Sequence, residues 1–323
     1  LKLIIFPRQF ESELLPILVG ILPSLTARKD LAGREKVFQA FAHYFRIDGH
    51  KDGSILVQNR HEVGVNNQVP LEDIARFEVG GAFALLVNTV PAAFWVLLFL
   101  YAHPGLLDSI RNEVGLIMVT AVDESGNLTR SLDITSVKTD CPLLASTFQE
   151  VLRYRAASTQ VRQVQQDTLL EDKWLLKKNA IIQMPSRIIH EDASIWGMDV
   201  NDFNPRRFMK NEAQKTGSGK RLNPAAFRAF GGGTTLCPGR HFASTEILAM
   251  ATMFIMRYDL TPTANEWILP TAFNTKLAAA VMEPDTDIEV ELSTRKGFED
   301  GRWAFQLGES EIVFALVAED RSD

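Results

Sequence analysis

The chain has 323 residues, 46% of them hydrophobic, and a formal net charge of −6. That length and composition suit one large domain, residues 1–323, with a sizeable core, and the acidic balance argues against nucleic acid as a partner. Two cysteines, Cys141 and Cys237, do not make a disulfide framework.

Taken in order, the predicted elements are mostly helical. Leu14, Leu15, Leu18, Ile21 and Leu25 recur at helical spacing over residues 11–29, as do Val37, Phe38, Phe41 and Phe45 over 30–47. Residues 49–67 are polar, contain glycine and read as a loop. Residues 79–102 carry no charge and by length alone are a membrane-span candidate. Asn88, Thr89 and Pro91 in the middle, and acidic flanks, favour a long buried helix instead, with Pro91 predicting a kink. Pro104 marks the start of the next helix. Residues 123–133 are polar around a Gly126-Asn127 turn.

Farther on, Phe148-Gln-Glu150-Val-Leu-Arg153 puts an acid and a base one helical turn apart, which in isolation is an ordinary surface ion pair. Residues 159–164 and 180–184 read as short strands. His190-Glu191 has no second histidine at zinc-protease spacing. Residues 206–228 hold Arg206, Arg207, Lys210, Lys215, Lys220, Arg221 and Arg228 against the single acid Glu212. This is either a docking face for an acidic partner or a solvated charged loop. Gly217-Ser-Gly-Lys220 ends like a phosphate loop, but Gln214 stands where the first glycine belongs. After the cysteine stretch a helix runs to Arg257, with Phe242, Ile247, Leu248 and Met250 available for packing. A hairpin tip at 273–277 and a closing strand at 281–292 complete the list.

The most informative stretch is Phe230-Gly-Gly-Gly-Thr-Thr-Leu-Cys237-Pro-Gly-Arg-His-Phe-Ala243. It sets one cysteine behind a glycine-rich turn and in front of an apolar helix. A metal-ligating cysteine must be a thiolate, and a helix N-terminus supplies N–H groups and partial positive charge. Pro238 suits a first helical turn, and Gly239 lets the backbone pass close to a flat ligand. By itself the stretch also fits a buried cysteine in a glycine turn. A dinucleotide loop fits worse, since no Gly-x-Gly-x-x-Gly is present.

The spacing Phe230-x-x-Gly233-x-x-x-Cys237-x-Gly239-x-x-x-Ala243 resembles the haem-binding signature of the cytochrome P450 family. The resemblance implies a mainly α fold with small β-sheets, the C-terminal portion of the P450 fold. It implies a haem (heme b) ligated at its iron by Cys237 and cradled by Phe230, Gly233, Gly239 and Ala243. Arg162 sits where the family often places a base on a haem propionate, although it reads equally as an exposed strand arginine. The family's usual base two residues before the cysteine is replaced by Thr235. Glu150 and Arg153 resemble the family's structural Glu-x-x-Arg pair, with Arg207 as third member. Cys141 is then a small buried hydrophobe.

Counting back from Pro104 aligns Ala84, Leu85, Leu86, Val87 and Asn88 with the family's oxygen-activation segment. Its usual acid–alcohol pair is replaced by Val87 and Asn88, neither with an acidic proton. Asn88-Thr-Val-Pro-Ala-Ala-Phe-Trp95 is similar to the branch holding sterol 7α-hydroxylases and prostacyclin synthase. Ala84, Val87 and Asn88 are thus the implied oxygen-side residues, although Asn88 also reads as a cap on the Pro91 kink.

The family's Trp-x-x-x-Arg is absent and its members are longer, so a missing N-terminal part with a membrane anchor is expected. The implied whole protein is a monooxygenase on the cytosolic face of the endoplasmic reticulum membrane. It hydroxylates a lipophilic small molecule with electrons from NADPH through NADPH-cytochrome P450 reductase. The alternatives are an isomerase or dehydratase acting on a lipid peroxide without a reductase, and a remnant that holds no haem.

Overall fold

The computed structural model describes residues 22, 28–209, 223–272, 279–308, 315–317 and 320. The helix expected at 11–29 and the hairpin tip expected at 273–277 lie almost wholly or wholly outside them. The described chain is mainly helical with four small sheets, as the sequence led us to expect. It falls into two compact units, Leu1–Asn88 with Thr275–Ala279, and Thr89–Asn274 with Ala280–Asp323.

In the first unit, α1 (Arg28–Arg46) matches the second predicted helix. Its Val37, Phe38, Ala42 and Phe45 pack with Ile74, Ala75 and Val79 from the start of α3 (Leu71–Tyr101). Residues 49–67 are not a loop. They form a 3-10 turn, Gly49–Asp52, and helix α2 (Ile55–Asn66). This helix buries none of its residues, so no apolar stripe announces it. Local polar contacts hold it: the Gln58 amide donates to Gly53 O at 2.9 Å, and Arg60 pairs with Glu78 of α3 at 2.7 Å. Gly64 is needed for close packing, since a Cβ there would lie 2.7 Å from the Ile74 side chain.

The helix α3 is the one described element long and apolar enough to cross a membrane. It continues through Pro91 without a break. Trp95, Val96, Phe99 and Leu100 are fully buried, whereas Leu85, Leu86 and Val90 are exposed. The burial expected along the whole helix is therefore interrupted around Leu85, Leu86 and Val90 and is nearly continuous only from Trp95 to Tyr101.

In the second unit that half of α3 meets α4 (Pro104–Ile117), α6 (Pro142–Arg155) and α9 (Arg240–Arg257) around one core. The indole of Trp95 donates to Met282 O at 2.7 Å. Helix α6 is enclosed on nearly every side, with Leu144, Phe148 and Val151 buried beside Glu150 and Arg153. Short α5 (Ile134–Asp140) leads into it, with the Asp133 carboxylate accepting from Thr135 N at its start.

The predicted Gly126-Asn127 turn joins two strands that polarity hid, β1 (Val119–Val122) and β2 (Leu128–Asp133). They pair antiparallel, and β2 pairs parallel with β9 (Arg302–Gln306). The two predicted strands, β3 (Thr159–Gln163) and β6 (Ile181–Pro185), pair with each other, Val161 opposite Gln183. Between them an unpredicted exposed hairpin joins β4 (Thr168–Leu170) to β5 (Trp174–Leu176). Short α7 (Ser186–His190) and α8 (Ala193–Trp196) follow. The closing strand at 281–292 is broken. Only β8 (Val290–Thr294) forms, against β7 (Tyr258–Pro262), while Val281 makes a single bridge to Ala156. Pro284, between them, has no N–H to extend the ladder. On α9, Ile247 and Leu248 are buried as expected, but Phe242 is exposed.

Candidate functional site

Glu150 and Arg153 stand one turn apart on α6, a spacing that in isolation means a surface ion pair. The fold encloses both. Arg153 donates through Nε and Nη2 to the two Glu150 oxygens, each at 2.8 Å. Arg207 Nε reaches the same oxygens at 3.1 Å, and the backbone N–H of Asn204 adds a bond at 3.0 Å. The remaining guanidinium N–H groups are spread over backbone carbonyls: His190 O for Arg153, and Trp196 O and Asp199 O for Arg207. Asp199 also pairs with Arg207 at 3.1 Å. Burial works against the Arg207 charge, but Glu150 and Asp199 outweigh it and raise its pKa. Two acids face two bases, so the cluster is neutral as well as hydrogen-bonded, the condition under which buried charge is tolerated.

This leaves Arg207 unable to serve in a basic docking face. Of the other bases in that run, Lys210, Lys215, Lys220 and Arg221 lie outside the described residues, as does Gly217–Lys220. Arg206 is exposed.

The cysteine loop lies between this cluster and α9. The Cys237 N–H donates to Phe230 O at 3.0 Å, closing the loop on itself. Gly231 and Gly233 take φ values of 82° and 61°, a left-handed backbone that favours glycine. Gly239 precedes α9, and its carbonyl accepts from Ala243 N at 2.9 Å in the first turn. Cys237 is free of disulfide and half-buried, with its thiol near the positive end of α9. The other thiol, Cys141, is fully buried, and burial, with Glu113 and Asp140 nearby, pushes it up to about 12. It stays protonated and is no rival as a thiolate.

Strand β3 brings Arg162 to the loop. Its Nη2 donates to the Thr235 hydroxyl and to Gly232 O at 3.5 Å. Thr235, which stands two residues before Cys237, thus meets an arginine from another strand. Of the three oxygen-side candidates on α3, Val87 is buried, Asn88 half-buried and Ala84 exposed.

Two groups at the loop carry no local signature in the sequence. His190, at the end of α7, is 1% exposed and stacks on Phe227. Its Nε2 accepts the backbone N–H of Arg228 at 2.9 Å, so the neutral ring carries its proton on Nδ1. Its carbonyl holds Arg153, so this one residue ties the charge cluster to the entry of the loop. Burial first, and then the Arg153 charge, lower its pKa to about 4. The unfolded chain therefore takes up a proton at this site from about pH 6.5 downward, and the folded protein does so only near 4. Stability from His190 is complete above about 6.5 and is lost as the pH falls toward 4, on the order of 3 kcal/mol in all. Urea unfolding of wild type and His190→Gln at pH 7 and pH 4.5 measures it: the wild type is expected to lose more stability over that interval, and equal losses would contradict it. The second group, Asp320, binds Arg240 and His241 at the start of α9.

The family model for cytochrome P450 matches residues 55–288. Among curated proteins, the chain is 38% identical over 310 residues to "Cytochrome P450 monooxygenase nodJ" of Hypoxylon pulicicidum, covering 95% of this chain and 60% of that protein. It is 27% identical over 257 residues to "Cytochrome P450 7B1" of Mus musculus, covering 77% of this chain and 50% of that protein. Among solved structures, a retinoic acid-bound cyanobacterial CYP120A1 aligns with a TM-score of 0.70 at 20% identity, over 91% of this chain and 63% of that one, which shows the shared fold. The chain thus spans about 60% of the length of the relative with 38% identity.

Proposed function

Because the chain belongs to the cytochrome P450 family, we propose that the protein containing it is a haem-thiolate monooxygenase placing one oxygen atom from O2 into a lipophilic small molecule. The observation that carries this is the loop at Cys237: a free, half-buried thiol, closed onto Phe230 O and set before α9.

The loop fits a flat macrocycle. A Cβ at Gly233 would meet nothing within 4 Å, and one at Gly239 would meet only the Cys237 sulfur, at 4.0 Å, so the glycines keep that face open. Haem, when bound, supplies O2 activation, and a thiolate ligand donates electron density that favours O–O cleavage. In this reading Cys237 Sγ is the axial ligand, and Phe230, Gly233, Gly239 and Ala243 form the cradle. Arg162 offers its guanidinium to a propionate beside Thr235. Glu150, Arg153 and Arg207 hold the chain on which the loop is mounted. NADPH serves through a reductase, and the whole protein works at the endoplasmic reticulum membrane.

In this reading Ala84, Val87 and Asn88 stand on the oxygen side, as the count back from Pro104 along α3 suggests. Val87 carries no proton to donate. The Asn88 amide does not titrate, but its oxygen and N–H2 can orient an ordered water. Asn88→Ala is therefore expected to keep NADPH consumption while diverting a several-fold larger share of electrons to hydrogen peroxide. Simultaneous measurement of NADPH, product and peroxide in the reductase-reconstituted full-length protein tests this, and unchanged partition would remove Asn88 from the mechanism.

The same lack of an acid–alcohol pair favours a second reading, an isomerase acting on a lipid peroxide, which has no need of proton delivery. Turnover of a lipid peroxide without NADPH, with no NADPH-dependent product, would establish it.

A further inference from the structure

Among the described residues, Asp320 reaches back to the start of α9, beside the cysteine loop, through its carboxylate. The Asp320 side chain is 2% exposed. It accepts from Arg240 Nε at 3.0 Å and Arg240 Nη2 at 2.5 Å, from His241 Nε2 at 3.3 Å, and from the backbone N–H groups of Leu316 and Val317 at 3.0 and 3.3 Å. The backbone bonds fix where the carboxylate stands. Arg240, with its Nε and Nη2 so held, turns its remaining nitrogen, Nη1, to the carbonyl of Cys237 at 3.3 Å. A buried anion, a half-buried cation and the cysteine's own peptide are thus connected in series. Burial opposes the Asp320 charge, but its bonds to Arg240 and to Leu316 N outweigh that and keep its pKa below the usual carboxylate range.

We propose that Asp320 is a positioning residue for the cysteine ligand: it holds and neutralises Arg240 against the Cys237 carbonyl, and so sets the reduction potential of the centre that Cys237 ligates. The inference rests on the haem-thiolate reading above. The physical warrant is that net charge, hydrogen bonding and burial around a ligating sulfur set such potentials. In a half-buried site a single charge acts with little screening. The positive charge of Arg240 beside the ligand stabilises the reduced centre, which carries one more electron, and the negative charge of Asp320 opposes that effect. Asp320 offsets that charge, and the guanidinium it holds serves as a hydrogen-bond donor to the Cys237 carbonyl.

The sign of the effect separates this from a purely structural role. In the full-length, haem-loaded protein, Asp320→Asn keeps size and shape but removes the negative charge, and the midpoint potential is expected to shift positive. Arg240→Gln removes the positive charge, and the potential is expected to shift negative. The double variant is expected to return toward wild type. Spectroelectrochemical titration reads the potential, haem content and thermal midpoint report folding, and Asp320→Glu serves if Asp320→Asn does not accumulate, with a potential near wild type. Shifts of the same sign in both single variants, or lowered haem content with unchanged potentials, would overturn the inference. Wild-type protein without a thiolate-type spectrum would overturn the ligand reading first, and this inference with it.

Discussion

Cys237→Ser in the full-length protein is expected to abolish the thiolate-type absorption band of the reduced carbon monoxide complex completely. The serine hydroxyl is close in size to the thiol and fits the same loop, but it stays protonated at neutral pH and cannot replace an anionic sulfur donor. The loop geometry does not depend on the sulfur. It is closed by the Cys237 N–H on Phe230 O and by the left-handed Gly231 and Gly233, all backbone features that serine preserves. The variant is therefore expected to fold and to lose only the band. The matching substitution Cys141→Ser is expected to leave the band intact, since that thiol lies in the core. A normal thiolate band in Cys237→Ser protein would refute the assignment outright.

The second large effect is on stability. Glu150→Ala is expected to destabilise the protein by about 3–5 kcal/mol, because it leaves the buried Arg153 guanidinium without a carboxylate and Arg207 with Asp199 alone. Arg153 and Arg207 each lose a direct ion pair with Glu150, and Arg153 has no other carboxylate partner among the described residues. The stranded charge lies next to the carbonyl of His190, whose ring supports the N–H of Arg228 on the way to the cysteine loop. Loss of haem from the folded fraction is the expected companion. Urea unfolding midpoints and haem content of wild type and Glu150→Ala decide it. Soluble, haem-loaded variant protein with an unchanged midpoint would mean that the cluster carries no net stability.

What the sequence revealed of this site was its local part. The spacing of Glu150 and Arg153 puts them on one face of a helix wherever that helix lies, and Gly231 and Gly233 mark a turn that needs left-handed backbone. Both are consequences of neighbours in the chain. The burial of the pair is not, and it was legible only through the resemblance to the family's structural Glu-x-x-Arg pair. Of the partners of the loop, Arg162 was legible only through the family resemblance and Asp320 not at all, for the same reason. Arg162 meets Thr235 from 73 positions away and Asp320 meets Arg240 from 80, and no periodicity or spacing rule links such residues. His190 was legible only as a histidine without a metal partner, although it bridges the charge cluster and the loop.

The fold shows the same division. Helices with an apolar stripe, such as α1, were found with nearly correct ends. Helix α2 was taken for a loop because it buries none of its residues and rests on Gln58, Arg60 and other polar contacts. Strands β1 and β2 were hidden because the turn between them is polar and β1 is exposed along its whole length. Periodicity reports burial against a core, so elements held in place by edges, caps and ion pairs leave little trace in it.

The central proposal, that the protein containing this chain is an oxygenase and not an isomerase, is tested most directly by the source of the product oxygen. The full-length protein, its reductase and NADPH would be incubated under isotopically labelled O2 with candidate lipids, and products analysed by mass spectrometry. One labelled oxygen atom per product molecule, absent when NADPH or reductase is omitted, is the predicted result. Product that forms from an unlabelled lipid peroxide, without NADPH and without uptake of label, would contradict it.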